Sequence, residues 1–555
     1  MNSFDYIANV LKQEGVEWLA CYPSNALIDA AARRDIRVVS FRHERGAVMA
    51  ADGYSRISDR KRVGVVAMQS QAGAENSVGG LGQAYADNIP ILVLPMGNPL
   101  DMLFVRPNYS ATRSWESVVK RAEFITSPEQ TGNVMRRAFH ALRSGSPGPV
   151  VVEMPQDVCL QPMPDSAQAY VSPKAALTTP SPGDIKDAAQ ALVAANNPLI
   201  WAGAGVLAAG ATEELRELAE LLDVPVYTTM PGKSAFDERH PLALGAGGMT
   251  TTAPARRWIL ESDVLFAVGS SLTTSSYAQE FPAEKFLIHA VNNPDEINKD
   301  IIADVGLVGD ARLTLVAMID AVKGLMGEAG RTTGVQELVA VEQRAWRERC
   351  LPYLTTNDAP LSPYRVIWEM DQTLDRENSI VTHDAGAPRD QLVPFYTATS
   401  PHSYIGWGKS THLGFSIPLM IGAKMAMPER MCVNLMGDGA FGMSGMDIET
   451  AARASIPITT IILNNGIMAT YPRGMGEAEK KFGVSRMQGD YAAIAMGMGA
   501  EGIRVEAAVE MAPALKKAQR LNADGKTVLI DVKTRAEHFR GPNIYGDLLG
   551  TVGNA

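Results

Sequence analysis

Short apolar, β-branched runs alternate along the chain with Ala-rich amphipathic stretches. In residues 1–165 the runs 36–41, 62–67, 89–94 and 149–153 read as strands, with helical segments between them. A Pro-, Ser- and Ala-rich break follows at 160–184. A second alternating unit spans 185–330, with strands expected at 198–201, 224–227, 264–268 and 286–289. A polar, Gly-containing stretch at 324–362 links it to a third unit over 360–533, with runs at 431–436, 457–463 and 528–531. Residues 534–555 form a tail. This alternation predicts an α/β protein of three open parallel-sheet domains. The first and third units look like internal cousins, because both run strand, Gly turn, helix.

Composition narrows the class. The chain has 555 residues, 46% hydrophobic and 20% charged, with a net charge of −10. That acidity argues against a nucleic-acid partner. No apolar run approaches the roughly 18 residues of a membrane span. Phe4, Ile7, Ala8 and Leu11 form an amphipathic pattern around Asp5, Lys12 and Glu14, unlike a signal peptide. Cys21, Cys159, Cys350 and Cys432 are far apart in sequence and read as buried free thiols of a cytoplasmic protein. The 26 methionines read as core filler.

The third unit carries the chemistry. The run 431–436 ends in Gly437-Asp438-Gly439-Ala440-Phe441, an amphipathic stretch containing Met446, Ile448 and Ala451 follows, and the run 457–463 ends in Asn464-Asn465-Gly466-Ile467. This is a βαβ unit with Asp438 and Asn465 at carboxyl ends of parallel strands, where such sheets bind ligands. Glycines let backbone N–H groups close on phosphate oxygens. A carboxylate and an amide oxygen suit Mg²⁺ that is also held by substrate phosphates. No Gly-x-x-x-x-Gly-Lys-Ser/Thr occurs, so the P-loop reading fails.

This segment resembles the thiamine-diphosphate (ThDP) motif, GDG followed by NN. Residues 41–56, around Phe41-Arg-His-Glu44, resemble the stretch that carries the activating glutamate of the same enzymes. Residues 85–94, 147–155 and 414–418 resemble further landmarks in the same order. The likeness covers nearly the whole chain and is to the superfamily of acetolactate synthase, pyruvate decarboxylase and oxalyl-CoA decarboxylase. It implies a pyrimidine-binding domain at 1–165, a central domain at 185–330 and a diphosphate-binding domain at 360–533. It implies ThDP and Mg²⁺, and a homodimer or homotetramer with active sites at the subunit interface. Glu44 would bond the aminopyrimidine and drive cofactor activation. Asp438, Asn465 and the Ile467 carbonyl would hold the metal. Gly437, Gly439, Ala440, Phe441, Gly386, Ala387 and Asn76 would contact the cofactor, and Leu413 would prop it into a bent shape.

Departures from the family pattern point to the substrate. A common Ser-Gly-Pro-Gly reads Ser70-Gln71-Ala-Gly73, and 106–110 lacks both the paired histidines of the decarboxylases and the Gln-Glu of acetolactate synthases. Gln71, Asn108, Tyr109, Ser110 and His412 are the candidate substrate contacts. In the central unit, Trp201-Ala-Gly-Ala-Gly205 reads as a tight βα turn rather than a dinucleotide fingerprint. The stretch 268–276 lacks the arginine that accompanies FAD in acetolactate synthases, which favours ADP or another adenine nucleotide over FAD. These absences, with 406–412 and 22–25, give a closer resemblance to an actinobacterial-type 2-hydroxyacyl-CoA lyase. That resemblance implies cleavage to formyl-CoA plus an aldehyde or ketone, and the reverse acyloin condensation. The alternative is an acetolactate synthase-like enzyme or a 2-oxo acid decarboxylase. For an acyl-CoA substrate, Arg535 and Arg540 would hold phosphates and the tail would close as a lid.

Overall fold

The computed structural model describes residues 1–164, 169–275, 278, 281–282, 284–468 and 475–537. Three six-stranded sheets carry the fold, and every strand pairing within them is parallel. From edge to edge the first runs Arg37–Ser40, Trp18–Cys21, Gly64–Met68, Ile91–Gly97, Val150–Pro155, Arg121–Phe124. The third runs Tyr404–Ile405, Ser379–His383, Met431–Gly437, Ile458–Asn464, Val528–Lys533, Glu501–Val505. Numbered within its own unit, each has the order 2-1-3-4-6-5, so the likeness of the two units extends to topology. The central sheet runs Val305–Val308, Phe286–Val291, Val264–Val268, Pro198–Ala202, Val226–Thr229, Ala243–Gly247. Read from its other edge this is 3-2-1-4-5-6, the doubly wound order whose switch point lies between the strands Pro198–Ala202 and Val264–Val268.

The buried apolar runs were the legible strands. Edge strands such as Arg121–Phe124, Tyr404–Ile405 and Glu501–Val505 carry polar or too few residues to stand out. Two expectations need correction. The linker 324–362 contains the helix Val335–Leu354, which packs on the central unit through Glu342 bonding the Trp258 indole at 2.9 Å. The single helix expected beyond the Gly turn is two, Asp438–Ser444 and Asp447–Arg453, parted at Gly445. Met446 at the break is exposed rather than in the core.

The first and third units share one hydrophobic core. Its centre is the helix Glu44–Ile57 against Ser416–Ala426. A Cβ on Gly422 would overlap the Ala50 carbonyl oxygen, and one on Gly53 would overlap that of Leu419. These pairings make the two helices antiparallel, with glycine allowing backbone to approach backbone. At the chain start, Asn2 and Asp5 form a capping box for the helix Ser3–Gln13, which buries Phe4, Ile7, Ala8 and Leu11. No described helix is long and apolar enough to cross a membrane. All four cysteines are free and buried, and burial pushes each thiol up to about 12.

Candidate active site

Three neighbouring strand ends of the third sheet meet at one corner. After Ser379–His383 come Asp384, Gly386 and the helix Ala387–Leu392. After Met431–Gly437 comes Asp438, and after Ile458–Asn464 comes Asn465. Asp438 is buried. Its two carboxylate oxygens accept from Gly439 N and Gly466 N, each at 2.8 Å, which ties the two motifs together. Burial raises its pKa, and the backbone donors oppose that rise. Asn465 Oδ1 accepts from Ile467 N at 3.0 Å, and the Ile467 side chain is exposed.

The adjacent asparagines have different tasks. Asn464 is buried and donates to Asp531 at 2.9 Å, fixing the strand end, so Asn465 alone is left at the corner. Ala440 and Phe441 pack into the shared core, with Phe441 edge-on to Tyr491. A Cβ on Gly437 would meet nothing. The site therefore has the donor set of a Mg²⁺–diphosphate corner: one carboxylate, one amide and one backbone carbonyl. Among the described residues no three His, Cys, Asp or Glu side chains form a metal cage. The remaining positions of a bound ion would fall to phosphate and water.

Sequence reasoning missed Asp384. This buried carboxylate accepts from Gly414 N at 2.9 Å, Ser416 N at 3.0 Å and Ser416 Oγ at 2.6 Å, and so holds the turn that presents Leu413. Leu413 itself is 37% exposed, beside a core that buries nearly every other large apolar group of this segment. Leu413 is thus an uncovered leucine on a clamped turn. Asp384 left no motif signal, since its partners become neighbours only in the fold.

Glu44 opens its helix behind the N-cap His43 and is 3% exposed. Asn76 Nδ2 donates to Glu44 Oε2 at 3.0 Å, so Asn76 touches the glutamate. No described hydrogen bond joins Glu44 to the Asp438–Asn465 corner.

The substrate-side residues divide. Gln71 sits at φ 56°, a strained left-handed position for a non-glycine residue. It donates to Asn98 at 2.8 Å and accepts from Tyr109 N at 3.0 Å, while Asn98 donates to Tyr109 O at 2.8 Å. Gln71, Tyr109 and the unforeseen Asn98 thus form one wall. Ser110 instead donates to Glu153, and Asn108 bonds its own loop at Met102 O. His412 lies against Gly79 of the helix Val78–Ala86, where burial and then Arg45 lower its pKa.

Comparison with known proteins decides the family. Residues 1–106 match the thiamine pyrophosphate enzyme N-terminal TPP binding domain, 185–318 the central domain and 384–532 the C-terminal TPP binding domain. The chain is 31% identical to the probable acetolactate synthase large subunit of Methanococcus aeolicus, over 94% of this chain and 90% of that protein. It is 30% identical to acetolactate synthase isozyme 3 large subunit of Escherichia coli, over 98% of this chain and 97% of that one. The chain belongs to the thiamine pyrophosphate enzyme family.

The central domain of this thiamine pyrophosphate enzyme has a doubly wound sheet. At its switch point lies a cavity of about 1350 Å³. Gly203 and Gly205 would clash with Gly269 if they carried a Cβ, so they serve the close approach of two βα turns, as the tight-turn reading expects. Trp201 and Tyr227 line the cavity, their rings edge-on with centroids 4.7 Å apart. Arg535 requires a correction. It pairs with Asp358 at 2.6 Å and Glu537 at 2.5 Å, so its charge is already neutralised. Arg540 and the rest of the expected lid, 538–555, lie outside the described residues.

Proposed function

We propose that this thiamine pyrophosphate enzyme is a ThDP- and Mg²⁺-dependent carboligase of the acetolactate synthase kind, taking its acyl unit from a 2-oxo acid. The observation that carries this reading is likeness over nearly the full length to acetolactate synthase large subunits, joined to an intact corner at Asp438 and Asn465. It reverses the order of the two readings from sequence. The 2-hydroxyacyl-CoA lyase rested on what 70–73 and 106–110 lack, and Arg535 offers no support for a coenzyme A phosphate.

Bound thiamine diphosphate supplies a carbon nucleophile and an electron sink for breaking the bond next to a carbonyl. The chain supplies the rest. Asp438, the Asn465 amide and the Ile467 carbonyl would hold Mg²⁺, and the Gly386–Ala387 backbone and Gly437–Gly439 the diphosphate. Leu413 would support the bent cofactor. Glu44, steadied by Asn76, would hold and release a proton at the aminopyrimidine. In this reading, residues 1–165 and 360–533 of two different copies form each site, and 185–330 takes a nucleotide, ADP or FAD.

Titration calorimetry with ThDP and Mg²⁺ tests the class: the wild type binds and Asp438→Ala does not. Purified enzyme is then given pyruvate, 2-hydroxyisobutyryl-CoA and mandelyl-CoA. Acetolactate from pyruvate supports the proposal. Formyl-CoA from a thioester, with no product from pyruvate, would restore the lyase.

A further inference from the structure

The central cavity is bounded by more than the central domain. Cations reach it from both of the other units. Arg60, from the first unit, and Lys409, from the third, both line it. Lys409 Nζ donates to the neutral Ser271 Oγ at 2.6 Å, on the turn after Val264–Val268, and makes no ion pair among the described residues. Arg60 also makes none, and its guanidinium reaches only the Asp87 carbonyl at 3.5 Å. Asp59 and Arg60 are consecutive non-glycine residues at φ 53° and 58°, a strained turn at the cavity rim.

The acids facing the same space are engaged. Asp59 pairs with His402 at 2.5 Å, Asp87 with Arg56 at 3.1 Å, and Glu296 with Lys299. Asp310 caps its own helix through Arg312 N and Leu313 N. Lys61 and Arg143 also line the cavity but pair with Asp59 and Glu14, and Lys174 adds a further lining cation. Arg60 and Lys409 are thus the cations that the first and third units bring, unpaired among the described residues, to a βα turn with no arginine of its own. Such charges suit phosphate oxygens.

Lys409 also lies four residues before Leu413. The segment between the strand Tyr404–Ile405 and Gly414 is pinned at both ends. Gly406 abuts Met230 of the central domain, and Gly408 N and Lys409 N both donate to the Asp87 carboxylate at 3.4 Å. His412 N donates to Gln83 at 3.4 Å, and Gly414 N to Asp384. One short stretch of backbone therefore joins the cavity wall to the cofactor prop.

We propose that Lys409 couples the two sites: the phosphates of a nucleotide in the central cavity, taken by Lys409 and Arg60, order the segment 406–414 and so set Leu413 for ThDP. The coupling is positive, because a segment already ordered by one ligand costs the second less to order. It is also reciprocal, each ligand tightening the other by the same factor. The inference rests on the ThDP reading above, which binding of ThDP and Mg²⁺ alone tests separately.

The experiment is calorimetry of ThDP with Mg²⁺, without and with saturating ADP, and again with FAD. In the wild type one of the two nucleotides lowers the ThDP Kd by about fivefold or more. Lys409→Met and Lys409→Gln, each checked for a cooperative melt, bind that nucleotide more weakly and lose the ThDP effect even at saturation. Three results overturn the proposal: neither nucleotide binds, one binds without changing the ThDP Kd, or both variants retain the full coupling.

Discussion

At the scale of single residues, the corner is defined by which polar groups the fold has already used. Asn464 is spent on Asp531 and Asn465 is not. Asp438 joins two strand ends through two backbone amides yet forms no ion pair among the described residues. Asp438→Ala removes the one carboxylate of the donor set. Its ThDP–Mg²⁺ affinity should fall by at least about 100-fold, the upper range for losing even an indirect metal contact, as read by calorimetry. Glu44→Gln keeps the hydrogen bond with Asn76 available but cannot release a proton. It should retain ThDP binding and lose at least about 100-fold in turnover, measured as product formed from pyruvate. A Glu44→Gln enzyme at wild-type turnover would remove the glutamate from the mechanism.

At the scale of elements, the antiparallel pair Glu44–Ile57 and Ser416–Ala426 joins the two cofactor-binding units. Its close approach tolerates no Cβ at Gly422, where Ala50 O stands in the way. Gly422→Ala should destabilise the chain by about 1–3 kcal/mol, seen as a lower melting temperature. Asp447 borders the same pair and accepts from Arg42 N and Thr450 Oγ1, each at 3.1 Å. Burial raises its carboxyl to about 6, above its ordinary value of 3.8. A raised acid is ionised in the fold only at a cost, so its contribution to stability is largest at low pH and is lost as pH rises through 6. Asp447→Asn should therefore melt higher than wild type at pH 7.5, by no more than about 3 kcal/mol, and the gap should narrow toward pH 4. A gap independent of pH would show that Asp447 does not titrate in this way.

At the scale of the whole molecule, Glu44 and the Asp438 corner sit in different units, and no described hydrogen bond joins them. If each site takes Glu44 from one copy and Asp438 from another, two dead variants can complement. Mixed dimers of Glu44→Gln and Asp438→Ala would each carry one intact site, so remixing equal amounts after subunit dissociation should restore about a quarter of wild-type activity. No recovery from verified mixed oligomers would place both residues in one chain's site.

The α/β class, the three units and the buried strands were legible in the sequence alone, and motif spacing there singled out Glu44, Asp438 and Asn465 as candidates. Each depends on local signals, namely apolar periodicity, glycine turns and motif spacing. Tertiary structure decided what depends on distant segments meeting. It set the shared strand order of the first and third units, the helix hidden in the polar linker, and the division of labour between Asn464 and Asn465. It showed Asp384 clamping the Leu413 turn, and it removed Arg535 by pairing it with Asp358. It also set Arg60 and Lys409, from other units, beside the central cavity, where the local sequence shows only a turn without arginine. Hydrogen bonds and ion pairs across hundreds of residues leave no periodicity behind, so a carboxylate or lysine shows its partner only once the chain has folded.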